Sequence, residues 1–118
     1  MATRLLLLSV ILCLSTPSCK KVSIAANIPL CIRQDISSHA KNDSWEVGSV
    51  DEYRFHDSLV YSYTPDGRII ADGTALVKDE NCHYVCSFGG IGGRLNLCNG
   101  EVFPDVAVFV RNIWRKNN

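Results

Sequence analysis

The chain has no surplus of charge, no apolar run of membrane-crossing length and no sustained helical period, and each absence excludes something. Its 118 residues hold 12 Lys and Arg against 12 Asp and Glu. A balanced chain has no bulk attraction for polyanions, so neither nucleic acid nor an anionic membrane is expected as a partner. The longest apolar run, residues 5–14, falls short of the roughly 20 residues a spanning helix needs. Beyond that run, no segment repeats apolar residues at helical spacing between capping residues, which predicts an all-β fold. Internal repeats, low-complexity tracts and interdomain linkers are also missing, so one domain is expected. No catalytic motif is present, and the Gly89-Gly90-Ile91-Gly92-Gly93 patch lacks the Gly-Lys-Ser/Thr ending of a phosphate loop. No enzyme activity, cofactor or catalytic residue is therefore expected.

What is present begins with a leader. Met1-Ala2-Thr3-Arg4 is basic, residues 5–14 are apolar, and Ser15-Thr16-Pro17-Ser18 is small and polar. This is the pattern of a secretory signal peptide, which places the protein outside the cell. Cleavage is expected after Ser18 or after Ala25 or Ala26, giving a signal of residues 1–26 at its longest and a single domain over residues 27–118. The earlier cut removes Arg4 alone and leaves a net charge of −1; the later one also removes Lys20 and Lys21 and leaves −3. The earlier cut retains Cys19, Cys31, Cys82, Cys86 and Cys98, an odd set. The later cut leaves four cysteines, which can all pair. Lys20 and Lys21 inside the cleavage region oppose the later cut. A lipoprotein signal at Cys19 lacks the Leu expected three residues earlier.

The stretch over residues 78–100 organises the mature chain. It holds three cysteines and, in the patch over residues 89–93, half of the eight glycines. Asp79-Glu80-Asn81 suits a chain reversal. His83-Tyr84-Val85 reads as a short strand with Cys82, Tyr84 and Cys86 on one face and His83 on the other. That alternation separates His83 from the cysteines, and thiols in an oxidising compartment pair, so no metal site is expected. Asn99-Gly100 signals a tight turn.

Elsewhere, Ile28-Pro29-Leu30-Cys31-Ile32 reads as a first strand, and residues 34–44 as a polar loop. Within that loop, Asn42-Asp43-Ser44 is an N-glycosylation acceptor. Residues 45–55 alternate as one bent strand or two short ones, and Leu59, Tyr61 and Tyr63 line one strand face. Thr64-Pro65-Asp66-Gly67 predicts a hairpin into Arg68-Ile69-Ile70, and Asp72-Gly73 a second turn. Val106-Ala107-Val108-Phe109-Val110 is the most apolar stretch after the leader and reads as a central strand, followed by a solvated tail from Arg115. Six or seven such strands suggest a β-sandwich or small barrel. Trp45, Tyr53, Tyr61, Tyr63 and Trp114 fall mostly on core-like faces. His39, His56 and His83 are the groups that titrate near neutrality. Glu52, His56 and Arg94 supply the residue types of a small secreted ribonuclease, the alternative enzymatic reading.

A Cys in the first strand (Leu30-Cys31-Ile32), a second after an acidic turn (Lys78-Asp79-Glu80-Asn81-Cys82) and Asn99-Gly100-Glu101-Val102-Phe103-Pro104-Asp105 before the last strand together resemble the MAX effectors of plant-pathogenic fungi, which include ToxB-like toxins. The resemblance implies a small six-stranded antiparallel β-sandwich stabilised by disulfides, with Cys31 joined to Cys82. It also implies a monomeric, non-enzymatic virulence effector that enters the host and binds host proteins, among them heavy-metal-associated domains or immune receptors. Cys86, Cys98 and the Gly-rich patch are additions to the pattern. With Cys31 and Cys82 joined, Cys86–Cys98 is the remaining bridge. A disulfide-rich extracellular toxin or inhibitor is a third functional class. For an effector, the expected docking edge is residues 45–55, with Glu46, Asp51, Glu52 and Arg54 as outward charges that meet a basic partner.

Overall fold

The computed structural model describes residues 22–93 and 96–117. The chain runs as α1 (Leu30–His39), β1 (Val47–Phe55), β2 (Ser58–Pro65), β3 (Thr74–Asp79), β4 (Tyr84–Gly89), the short α2 (Phe103–Val106) and β5 (Val108–Arg115). Among the described residues the strands form one five-stranded antiparallel sheet in the order β4-β3-β2-β1-β5. The fold is thus mostly β and carries two disulfides, Cys31–Cys82 and Cys86–Cys98.

The expected first strand is a helix. Ile32 and Ile36 are both fully buried and lie four residues apart, so they share a helical face. Pro29 stands at the N-cap with a fixed φ of −55°, and Leu30, Arg33 and Gln34 are good helix formers. The polar residues 34–44, expected as a loop, supply the solvent side of α1 and then the connection to β1. Five strands and a helix therefore stand where six strands are expected.

Both faces of the sheet are apolar, and each has its own cover. Cross-strand partners point to the same side, so Val50, Tyr61, Tyr63 and Leu76 lie on one face. There they meet Ile32 and Ile36 of α1, with Trp114 and Ile113 of β5. The opposite face carries Phe55, Val60, Val77 and Cys86, packed against Cys98 and Phe103. Phe103 stacks on Phe88 with centroids 4.7 Å apart and meets Phe55 and Tyr53. One disulfide serves each face: Cys31–Cys82 ties α1 to the β3–β4 turn, and Cys86–Cys98 ties β4 to the segment that leads into α2.

Cys82 and Cys86 therefore leave the sheet on opposite sides, not on one face. Cys82 sits in the turn with φ +64°, and the β3–β4 register slips between Val77 and Lys78, so that Tyr84 faces Lys78 while Cys86 faces Val77. A one-residue slip exchanges the faces of everything beyond it. The β2–β3 connection is also longer than expected. Asp66 O accepts from both Ile69 N and Ile70 N, so residues 67–69 form a turn and β3 begins only at Thr74. The Asn99-Gly100 turn is as expected, with φ of +50° and +82° and the reciprocal Cys98–Glu101 backbone bonds at 2.7 and 3.0 Å.

The edges are β4 and β5, and β1 is internal. β5 pairs with β1 through two register shifts, which turns the expected central strand into an edge with Val108, Phe109 and Val110 exposed. Arg115 ends β5, and Lys116 is no free tail: its amide donates to Gly48 O at 2.8 Å and its ammonium to Trp45 O at 2.6 Å and Asp66 Oδ2 at 3.1 Å. Gly48 permits this closure, since a Cβ there would lie 3.0 Å from Asp66 Cα.

The two bridges close loops of different length, with sequence separations of 51 and 12. On the chain-entropy account, replacing Cys31 and Cys82 together by Ser is expected to cost about 4 kcal/mol, and replacing Cys86 and Cys98 about 3 kcal/mol. Guanidinium unfolding of the two double variants checks the order; a larger loss from the shorter loop would contradict it.

Candidate functional site

A groove of about 440 Å³ opens where the C-terminal half of α1 meets β2, β3 and the residues before β1. Its volume lies within the range of small-ligand sites. α1 brings Asp35 and His39, the approach to β1 brings Trp45 and Glu46, and the sheet brings Tyr63, Leu76 and Lys78. Helical spacing puts Asp35 and His39 on one side of α1, four residues apart. Tyr63, Leu76 and Lys78 share the face under α1 by their register.

Lys78 Nζ donates to Asp35 Oδ2 at 2.8 Å and stands 4.7 Å from the Tyr63 ring centroid. Both side chains of the ion pair are about one-fifth exposed. Burial pushes the Asp35 carboxyl up, but hydrogen bonding from Lys78 and Tyr63 and the Lys78 charge outweigh this, and its pKa is lowered on balance. His39 Nδ1 meets Asp35 O at 2.8 Å, and the imidazole stacks on Trp45 at 5.2 Å. Trp45 in turn packs against Trp114 and Tyr63.

Tyr63 is the unusual member. It is 3% exposed, and its hydroxyl has no hydrogen-bond partner of normal geometry, although it lies close enough to Asp35 to feel that charge. Burial first, then the Asp35 charge and hydrogen bonding toward that carboxylate, push its pKa far above the tyrosine range, so the hydroxyl keeps its proton and faces Asp35 without a hydrogen bond of normal geometry. The groove thus offers donors at Tyr63 and Lys78, acceptors at Asp35 and Glu46, and apolar walls from Val47, Pro65 and Ile70.

A second hollow, about 650 Å³, lies over Asp66, Arg68, Trp114 and Lys116. Its charges satisfy one another. Buried Asp66 accepts from Arg68 N, Nε and Nη2, each at 3.0 Å, and from Lys116 Nζ at 3.1 Å. This clasp fastens the β2–β3 connection to the end of β5, which makes it structural.

The charges expected along one docking edge do not share a surface. Glu46 is exposed at the groove, Arg54 is exposed, and Asp51 accepts from Asn112 Nδ2 at 2.7 Å. Glu52 is 4% exposed and accepts from Tyr61 Oη at 2.9 Å and Arg111 Nε at 3.2 Å. Asp51 pairs across from Ser62 and Glu52 from Tyr61, so adjacent residues point to opposite faces. The expected Trp45–Phe55 edge fails for the same reason that β1 is internal: β5 takes the position beside it.

The ribonuclease residue types do not converge either. Glu52 is buried and held by Tyr61 and Arg111. His56, at φ +54° in the β1–β2 turn, meets Glu101 Oε2 at 2.6 Å on the surface. Arg94 lies outside the described residues. Ser38 and Asp35 both approach the same ring nitrogen of His39, which is no proton relay. Among the described residues no three His, Cys, Asp or Glu side chains gather as a metal site would require. Asn42 is exposed between α1 and β1, with its Oδ1 accepting from Ser44 N and Oγ.

A domain of unknown function, DUF6970, matches residues 36–116. The chain belongs to this family. The match starts in the middle of α1, so it covers the whole sheet, Trp45, Tyr63 and Lys78, but not Asp35 or Cys31. No curated protein and no solved structure matches the chain. Among the described residues no helix is long and apolar enough to cross a membrane.

The acidic groups set an expected pH response. The Arg68 hydrogen bonds hold the Asp66 carboxyl well below its ordinary 3.8, and Asp79, bonded to the His83 and Asn81 amides, is lowered too. A depressed folded pKa contributes stability above the unfolded value, and this is lost as pH falls toward the folded one. Stability should therefore decline below about pH 4, and Asp66→Asn should flatten that decline while lowering stability at neutral pH. Thermal melts of both proteins across the acid range check this; parallel curves would exclude the clasp as the cause.

Proposed function

We propose that this is a secreted, non-enzymatic binding domain whose groove takes an amide-bearing segment of a partner polypeptide. The observation that carries the reading is the buried Tyr63 hydroxyl, a proton donor that makes no hydrogen bond of normal geometry, at the floor of a groove that also presents Lys78, Asp35 and Glu46. An amide fits that set because it offers a carbonyl to Tyr63 and Lys78 and an N–H to the carboxylates. A carboxylate ligand fits less well, since Asp35 and Glu46 oppose it. The apolar walls suit an adjoining side chain.

Two disulfides in so small a domain support export, because such bridges persist in oxidising compartments. The leader-like residues 1–18 support it independently. A host protein as partner, and entry into a host cell, are a narrower form of this proposal. They rest on the resemblance to MAX effectors, and the Cys that begins that motif stands in α1 where the resemblance implies a strand. A ribonuclease is disfavoured by the separation of Glu52 from His56, and purified protein should not cleave RNA above background.

The test is an NMR titration of nitrogen-15-labelled protein with N-methylacetamide, acetate and glycerol as separate probes. N-methylacetamide is expected to shift the Trp45 indole, Leu76 and Lys78 resonances, and acetate is not. Tyr63→Phe should weaken the amide response while changing stability by no more than about 1 kcal/mol, because the hydroxyl removed makes no hydrogen bond of normal geometry. Absence of a localised response to any probe, or a marked loss of stability in Tyr63→Phe, would count against the groove.

A further inference from the structure

Residues 22–29 are built into the fold. Ala25 N donates to Ile113 O at 2.9 Å, and Val22, Ile24, Ala25 and Ile28 pack on the core beneath α1. Two arginines hold the segment from opposite sides. Arg33 Nη2 donates to Ala25 O at 3.0 Å. Arg111 donates from Nη1 to Ala26 O at 2.8 Å and from Nη2 to Asn27 O at 2.9 Å. Its remaining Nε reaches the buried Glu52 carboxylate at 3.2 Å, so the segment, Arg111, Glu52 and Tyr61 form one connected network.

We infer that the signal peptide is removed upstream of Val22, so that this segment stays in the mature protein. The inference rests on the secreted reading proposed above. A cut after Ala25 would strip Val22, Ile24 and Ala25 from the core and take away the acceptor of Arg33. It would also place a new α-ammonium on Ala26, whose carbonyl is bound by Arg111. A cut after Ala26 would remove that carbonyl as well and set the ammonium on Asn27, again beside the Arg111 guanidinium. Like charges at that distance repel, and the guanidinium is already committed to Glu52. Of the expected cleavage positions, the one after Ser18 leaves the network whole.

Cysteine parity is then no argument for the later cut. Cys31, Cys82, Cys86 and Cys98 pair among themselves, so their pairing is the same whether or not Cys19 is retained.

The test is expression of the full chain with its own leader in a secreting host, followed by N-terminal sequencing and intact mass of the exported protein. A first residue between Cys19 and Val22 supports the inference. A first residue of Ala26 or Asn27 overturns it and leaves the secreted reading standing. Retention in the cell with Met1 in place overturns the secreted reading and the inference with it. Hydrogen exchange on the exported protein supplies a second readout: the Ala25 amide should be protected through its bond to Ile113, and exchange at the rate of a free chain would overturn the placement of the segment.

Discussion

A single sheet that is apolar on both faces is the constraint from which the rest follows. Neither face can be left to water, yet the chain has little with which to cover them: a ten-residue helix on one side and a four-residue helix with its flanking turn on the other. Helices of these lengths are marginal by themselves. Each cover is therefore pinned covalently, α1 through Cys31–Cys82 and the 96–107 segment through Cys86–Cys98. The disulfides stand in for the second layer of secondary structure that a larger domain would supply.

The covers do not close evenly, and the groove is a consequence. α1 is fixed by its disulfide and by Ile32 and Ile36, and the groove opens beside its C-terminal half, over Tyr63 and Lys78. Trp45 fills part of that space and His39 stacks on it. What remains is lined by Asp35, Glu46, Tyr63 and Lys78. The same covering logic accounts for Glu52. It occupies a core-facing position, and it is tolerated there because Tyr61 and Arg111 satisfy it and Arg111 in turn ties down residues 26 and 27. A buried carboxylate so placed marks the attachment point of the N-terminal segment and does not mark a partner surface.

Much of the mature chain is legible as strands because period-2 alternation survives in β1, β2 and β3, where one face meets the core. The hairpin formers Asn99-Gly100 are equally plain, since local φ preferences decide them. The reading of Asp51 and Glu52 as neighbours on one edge conflicts with that same alternation, so the residues themselves contained the correction. Helix α1 is less legible. Ile32 and Ile36 are two apolar residues in a polar stretch, and that spacing gains meaning only when a sheet face is available to bury them.

The sequence by itself determined the β-rich class and the absence of a recognisable catalytic motif, because local alternation and residue spacing carry both. Only the tertiary structure decided which strand is an edge. The last strand returns to pair with the first, and that long-range choice depends on Trp114 and Lys116 finding partners at residues 45–50 and 66. It also decided the faces of Cys82 and Cys86, through a one-residue slip invisible to pattern. The groove arose in the same way: Asp35, Trp45, Tyr63 and Lys78 are scattered over 44 residues, and they become neighbours only when α1 is held against the sheet.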